Sequence, residues 1–176
     1  SMMAVWTQAD RGAKWAGRQT NRIMFSRSTD EGVTWASPQR IAGPKPGEQM
    51  PHMASWGFPM VSKSGRIYVV WSQNQGTAGW CQMHTGTMSG RYSDDCGETW
   101  SEPQDIPMRR SPYDDPDGKL PSEWIVWQLP MRDLKGNPFV GFSRWINKHK
   151  ARIQKAESWV QWESVVEFMR FVNLNA

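Results

Sequence analysis

The sequence predicts an all-β protein built from about three repeated, four-stranded antiparallel units. The first observation is an eight-residue pattern, S-x-D-x-G-x-T-W, which occurs at residues 28–35 and again at 93–100. The second is that other residues recur at the same spacing of 65 positions, while a spacing of 71 positions relates the second unit to a third. Recurrence at a fixed spacing indicates a repeated structural unit.

The recurrence extends well beyond the eight-residue pattern. The spacing of 65 relates VWTQ at 5–8 to VWSQ at 70–73, and the spacing of 71 relates Pro-Met at 59–60 to Pro-Met at 130–131. We therefore predict one domain over residues 1–176. Its three units span about 3–42, 43–107 and 108–176, and the first and last need not be complete.

Each unit has the composition of β-strands joined by tight turns. The run 67–73 is rich in β-branched and aromatic residues, and turn sequences ending in Gly65 and Gly136 are typical of hairpins. One strand of the first unit is predicted at 22–28. In the second and third units the predicted strands are 56–62, 66–73, 86–93, 100–106, 125–132, 138–145 and the run 164–171. The segment 147–162 fits either a helix or a long loop.

Tandem four-stranded units, in a chain with 12 Trp, predict the blades of a β-propeller. The eight-residue pattern then forms the hairpin between the third and fourth strands of a blade. Its Ser and Asp can bond the backbone of their own turn, and its Gly permits positive φ. We therefore predict a structural role for the pattern residues, which are Ser28, Asp30, Gly32 and Trp35 in the first copy and Ser93, Asp95, Gly97 and Trp100 in the second.

The pattern resembles the Asp box, or bacterial neuraminidase repeat, of the sialidase superfamily of six-bladed propellers. The flanking residues RSTD at 27–30 and WSEP at 100–103 fit the same pattern, and the resemblance covers residues 3–145 well. It implies a sialidase-like propeller that binds or hydrolyses glycans. In the enzymes of this family an arginine triad grips the sugar carboxylate, a Tyr/Glu pair acts as nucleophile and an Asp acts as acid and base.

The chain departs from the family pattern ahead of the first box. No R-I-P strand is present for the first triad arginine, although Arg11 falls where a further arginine of the family lies. No carboxylate occurs between Gly12 and Ser28, so the acid/base Asp that the resemblance implies is missing unless Asp10 supplies it. We expect little or no cleavage of a simple aryl sialoside, and whether the chain is an exo-glycosidase stays open.

The long connections between strands meet on the face opposite the boxes, where a ligand site is expected. The connection richest in functional groups contains Arg109, Arg110, Tyr113, Asp114 and Asp115, and it closes with Glu123. Tyr113 with either aspartate is a candidate nucleophile and base, and Glu123 is a replacement carboxylate. The competing interpretation is a Pro-rich turn capped by solvated carboxylates. The arginines of this connection are candidate substrate-binding residues.

Two other side chains are candidate sugar contacts. His52 fits a proton donor or a sugar contact, against the alternative of a structural histidine. Trp80 fits a ring that stacks on a sugar, against the alternative of packing between blades.

Composition argues against several classes of partner. No apolar run approaches the ~20 residues that span a bilayer, so no membrane partner is expected. The net charge of +4 comes from scattered basic residues, which disfavours a nucleic-acid partner. Cys81 and Cys96 make neither a disulfide framework nor a zinc pattern, and no metal or other cofactor is expected. The compartment is not indicated.

Three functions are compatible with these residues: a glycoside hydrolase whose site completes on assembly, a non-catalytic carbohydrate-binding module, and a structural or interaction propeller. Three blades leave two open end faces. We therefore expect a homodimer that completes a six-bladed ring.

Overall fold

The computed structural model describes residues 1–10, 20–48, 52–74, 87–119, 122, 124–126, 128–146, 164–172 and 174. In this part of the chain, eleven strands form three antiparallel sheets, none of them closed. The strands in chain order are β1 (Met2–Gln8), β2 (Arg22–Ser28), β3 (Gln39–Ala42), β4 (Ala54–Val61), β5 (Ile67–Gln73), β6 (Thr87–Ser93), β7 (Gln104–Ile106), β8 (Trp124–Val126), β9 (Met131–Arg132), β10 (Pro138–Trp145) and β11 (Ser164–Arg170). The predicted all-β class is confirmed.

The three sheets correspond to the three repeats. The first sheet has the order β1-β2-β3, and the middle sheet has the order β4-β5-β6-β7. In the third sheet β10 lies between β11 and β8, and β9 also pairs with β10. Since β8 and β9 pair with successive stretches of β10, they act as one interrupted outer strand.

Two predicted strands are shorter than expected, and proline explains both. The strand predicted at 100–106 begins at Gln104, directly after Pro103. The strand predicted at 125–132 is divided into β8 and β9, with Pro130 between them. Proline has no backbone N–H to donate to a neighbouring strand, so it interrupts the ladder at these positions.

The sheets stack face to face, with the middle sheet between two apolar clusters. Alternate residues of a strand point to opposite faces, and β5 follows this rule. Val69 and Trp71 pack in a cluster with Ile23 and Phe25 of the first sheet. On the other face, Val70 packs in a cluster that includes the third-sheet residues Trp124, Val140 and Phe142. These clusters hold the three sheets as successive layers.

Candidate functional site

The stacked sheets have two different edges. One, which we call the turn edge, is where β2 and β6 end and where the tight turns of Gly65 and Gly136 lie. The other, which we call the loop edge, is where β1, β5 and β10 end and where β2, β6 and β11 begin. The strand register shows this through the pairs Gln8↔Arg22, Gln73↔Thr87 and Arg144↔Val165. The strand ends that flank the long connections therefore lie at the loop edge.

The first eight-residue pattern, residues 28–35, forms a closed network at the turn edge, and we call it box 1. The Ser28 hydroxyl donates to Asp30 Oδ1 at 2.7 Å and accepts the Gly32 N–H at 2.8 Å. Asp30 accepts the Thr34 N–H at 2.9 Å and the Thr34 hydroxyl at 2.6 Å. The indole N–H of Trp35 donates to the Gly32 carbonyl at 3.1 Å. The side chains of box 1 thus form hydrogen bonds with the backbone of their own turn.

The second copy, residues 93–100, repeats this network and is called box 2. Its Ser93 hydroxyl donates to Asp95 Oδ1 at 2.7 Å and accepts the Gly97 N–H at 2.8 Å. Asp95 accepts the Thr99 N–H at 2.9 Å and the Thr99 hydroxyl at 2.5 Å. Two stretches that differ at three of eight positions therefore reach the same turn geometry.

Both box aspartates are held by hydrogen bonds that favour the ionised carboxylate. The hydroxyl and backbone N–H of Thr34 lower the pKa of Asp30 to about 2. The same groups of Thr99 lower the pKa of Asp95 in the same way. Donors aimed at a carboxylate stabilise its charged form. These two carboxylates lie in their own turns, on the edge opposite the long connections.

At the loop edge, a buried arginine holds the first candidate acid, Asp10. Arg22 begins β2 and is 1% exposed, and its Nη2 forms an ion pair with Asp10 Oδ1. Arg22 also donates to the Thr20 carbonyl, from Nε at 3.3 Å and from Nη2 at 3.2 Å. The second oxygen of Asp10 accepts the Gly47 N–H at 3.3 Å. Asp10 therefore connects the end of β1 to the start of β2 and to the segment before β4.

A second buried arginine organises the connection that follows β7. Arg144 of β10 is 1% exposed and donates through Nε to Glu167 at 2.9 Å. Its Nη1 donates to Asp114 at 3.1 and 3.4 Å, and its Nη2 donates to the Arg109 carbonyl at 3.0 Å. Asp114 is also buried and accepts the Ser111 N–H at 2.8 Å. A buried charge needs such complete pairing, so Asp114 anchors this connection to β10.

Short-range turn contacts occur in the rest of this connection. The N–H of Tyr113, which is half-buried, donates to the Ser111 hydroxyl at 3.3 Å. Asp115 Oδ2 accepts the Lys119 N–H at 2.7 Å, and the Asp115 carbonyl accepts a hydrogen bond from Arg110 at 2.7 Å.

Of the four remaining candidate site residues, the structure describes only His52. His52 is exposed, and its Nδ1 lies 3.3 Å from the Asn74 carbonyl at the loop edge. Arg11, Trp80 and Glu123 lie outside the described residues. The structure thus brings Asp10, His52 and residues 109–115 to one edge of the stack.

Three residues that organise this edge were not predicted from the sequence: Arg22, Arg144 and Glu167. One signal was available, because Arg22 and Arg144 each lie in a strand with strongly apolar neighbours, in RIMF and FSRW. A charged residue in such a strand needs a partner of opposite charge when it is buried. The partners lie 12 and 30 positions away for Asp10 and Asp114, and no short-range pattern identifies them.

Two kinds of site are not seen in the described part of the chain. No group of three or more His, Cys, Asp or Glu there could hold a metal ion. Among the same residues, no helix has the length and apolar character needed to cross a bilayer. Cys96, at the surface in box 2, is a free thiol.

No protein-family model matches this sequence, and no curated protein matches it. The repeated box geometry and the residues of the loop edge are therefore the grounds for assigning a function.

Proposed function

We propose that this chain is part of a sialidase-like β-propeller that binds an acidic glycan at its loop edge, with little or no hydrolysis. The observation that carries this proposal is the repeated box network, with the same Ser–Asp distance of 2.7 Å in both copies. Both boxes lie in corresponding hairpins of stacked sheets. That arrangement is the one the sialidase resemblance implies for successive blades.

The placement of both boxes at the turn edge supports a ligand site at the opposite, loop edge. The boxes occupy the turn edge, so the strand ends that carry the longer connections lie together at the opposite, loop edge. Ligand sites on repeat scaffolds are commonly built from such loops, which a rigid framework positions. The buried Arg22 and Arg144 hold these connections to the strands.

The ligand class follows from the charge that the loop edge exposes. Arg109 is held in place through its backbone carbonyl, which accepts the hydrogen bond from Arg144 at 3.0 Å. Its side chain is exposed, and its guanidinium has no hydrogen-bond partner among the described residues. Guanidinium groups bind carboxylates through paired, charge-assisted hydrogen bonds. A sugar that carries a carboxylate, such as sialic acid, has the complementary group.

The candidate carboxylates argue for binding without cleavage. Most glycoside hydrolases use one carboxyl group as acid and a second as base or nucleophile, and the sialidase resemblance implies an Asp as acid and base beside a Tyr/Glu pair. Both oxygens of Asp10 accept hydrogen bonds within the protein. Asp114 is 4% exposed and paired with Arg144, which removes it from the surface where a sugar would lie.

A titration with two matched sugars tests the ligand class. The chain is titrated calorimetrically with 3′-sialyllactose and with lactose, which lacks the carboxylate. We expect sialyllactose to bind at least about tenfold more tightly, because a charge-assisted hydrogen bond contributes about 1.5–3 kcal/mol. Arg109→Ala removes this preference, while Arg27→Ala, which deletes an arginine at the turn edge, leaves it unchanged. Equal affinity for the two sugars, or no binding of either, contradicts the proposal.

Turnover is tested separately with an aryl sialoside. We expect no release of the aryl group above the uncatalysed rate. Robust release would contradict the non-catalytic part of the proposal, and it would make Asp10, Tyr113 and Glu123 the first residues to substitute.

A further inference from the structure

The stack of sheets has two open outer faces, and both are apolar. On the third sheet, alternate residues of β11 point outward, and Val166 and Phe168 are 67% and 68% exposed. Phe168 and Phe139 line a hollow of about 740 Å³ on this face, together with Arg170. On the first sheet, a hollow of about 440 Å³ is lined by residues that include Trp35 of box 1. Exposed apolar faces of this kind mark interaction surfaces.

The junction between the first and middle sheets shows how one such face is covered. The Phe25 ring meets the Trp100 ring of box 2 edge to face, with centroids 5.0 Å apart and planes at 75°. Gly97 makes room for Phe25, since a Cβ at Gly97 would lie 2.5 Å from the Phe25 Cζ. The same two sheets are also joined by a hydrogen bond that Arg27 donates to Glu98 of box 2 at 2.6 Å. Covered in this way, Phe25 is 1% exposed.

The third sheet carries the equivalent of Phe25. The strand pairs Val5↔Phe25 in the first sheet and Gly141↔Phe168 in the third occupy the same place in their sheets. The repeat spacings relate Val5 to Val70 and Val70 to Gly141. The packing supports this equivalence of positions, because Val5 packs toward the middle sheet and Val70 packs toward the third sheet. Phe168 therefore occupies the position in the third sheet that Phe25 occupies in the first sheet, but no box of the described chain covers Phe168.

The first sheet carries the equivalent of the group that covers Phe25. Gly32 and Trp35 of box 1 correspond to Gly97 and Trp100 of box 2 at the spacing of 65 positions. Trp35 is 44% exposed. A Cβ at Gly32 would meet only two other side chains, Met2 with its Sδ at 3.3 Å and Trp35 of the same box. At Gly32 only the Met2 side chain, which is 51% exposed, and Trp35 stand where Phe25 stands at Gly97.

The charges of the two faces are also complementary. Arg170 follows Phe168 by two positions, as Arg27 follows Phe25. Arg27 donates to the Cys96 carbonyl at 3.4 Å, and the equivalent of Cys96 in box 1 is Glu31, which is exposed. Arg170 pairs with Asp133 of its own sheet at 3.3 Å and its side chain is still 59% exposed. Glu31 offers it the same carbonyl and adds a carboxylate, so opposite charges would meet across the contact.

We propose that a second copy of this chain docks box 1 onto the outer face of the third sheet, with Phe168 against Gly32 and Trp35. We assign the partner as a second copy because this chain carries both surfaces of the junction, box 1 and the Phe168 face. Together these surfaces reproduce the Phe25–Trp100 junction inside the chain. Two copies of three sheets close a ring of six through two such junctions. Each junction resembles a standard interface of roughly 800 Å² per partner. This assembly is independent of sugar binding at the loop edge.

Sedimentation equilibrium at micromolar concentration tests the assembly. We expect the wild-type chain to have twice the 20.2 kDa mass of one chain. Phe168→Glu and Trp35→Glu each reduce the mass to that of one chain while the far-UV circular dichroism is retained. The matched control is Leu129→Glu, because Leu129 is 61% exposed and does not line the hollow. We expect this control to remain a dimer, and the milder Phe168→Ser to weaken the dimer by at least tenfold.

Mixing the two charged variants distinguishes a lost junction from a damaged fold. A pair that contains one copy of each variant has both substitutions at one junction and wild-type residues at the other. The equimolar mixture therefore recovers dimers, although each variant alone is a monomer. A monomeric wild type, a dimer that survives Phe168→Glu, a mixture that stays monomeric, or a wild-type assembly larger than two copies would each overturn the proposal.

Discussion

Box 1 and box 2 share one turn geometry, but they have different surroundings. The Trp100 ring of box 2 packs against Phe25, whereas Trp35 of box 1 is 44% exposed. The indole N–H of Trp35 donates to its own turn, while the buried indole N–H of Trp100 has no partner among the described residues. The box therefore folds through its own contacts, and we expect its Trp to stabilise the protein most where a neighbouring sheet packs against it.

The largest expected difference between the boxes is in the Trp residues. Trp100→Ala should lower the free energy of unfolding by about 3 kcal/mol, because it leaves a cavity against Phe25. Trp35→Ala should lower it by roughly 1 kcal/mol or less, since a half-exposed ring has little packing to lose. Urea unfolding of both variants measures the difference. The Phe168→Glu chain is the background, so that no second copy covers box 1. Equal losses in the two boxes would contradict the comparison.

A smaller difference is expected in the glycines. Gly32 and Gly97 have nearly the same φ, 91° and 88°, so alanine brings a similar backbone strain of about 1–3 kcal/mol to each. Gly97→Ala also forces a Cβ into the Phe25 ring, which adds about 1–3 kcal/mol of overpacking.

A double-mutant cycle isolates this second contribution. Combining Gly97→Ala with Phe25→Leu should restore part of the lost stability, because the smaller side chain admits the Cβ. Gly32→Ala with Phe25→Leu should be additive. A cycle in which both combinations are additive would show that the ring contact is unimportant.

The smallest difference is expected in acid, where both boxes should respond alike. The folded-state pKa of Asp30 is about 2, below its ordinary value of 3.8, and that of Asp95 is lowered in the same way. A depressed folded pKa contributes stability that is fully present above the unfolded value and is lost as the pH falls toward the folded value. The melting temperature should therefore fall between about pH 4 and pH 2.

Substitution by Asn checks this assignment. Asp30→Asn and Asp95→Asn should each lower the melting temperature at pH 7 and flatten its fall between pH 4 and pH 2, by similar amounts. A variant that keeps the full acid dependence of the wild type would mean that the stability of its box does not depend on the carboxylate.

The loop edge was less predictable than the turn edge, and two aspartates show why. Asp30 finds its partners within four residues, so its role follows from the pattern alone. Asp114 is as polar in the sequence, yet it is buried against Arg144, 30 positions later. That pairing depends on where β7 ends and on how the third sheet stacks, and no local pattern encodes either.

The all-β class, the repeated units and the turn contacts inside each box could be predicted from the sequence alone. These features rest on short-range contacts: alternation along a strand, a glycine at positive φ, and a hydroxyl beside a carboxylate. The folding of the chain in three dimensions pairs Asp10 with Arg22 and brings both Asp114 and Glu167 to Arg144. It also leaves Trp35 exposed while Trp100 packs on Phe25. These pairings join residues that are distant in the chain, and burial and charge select them only after the sheets have stacked.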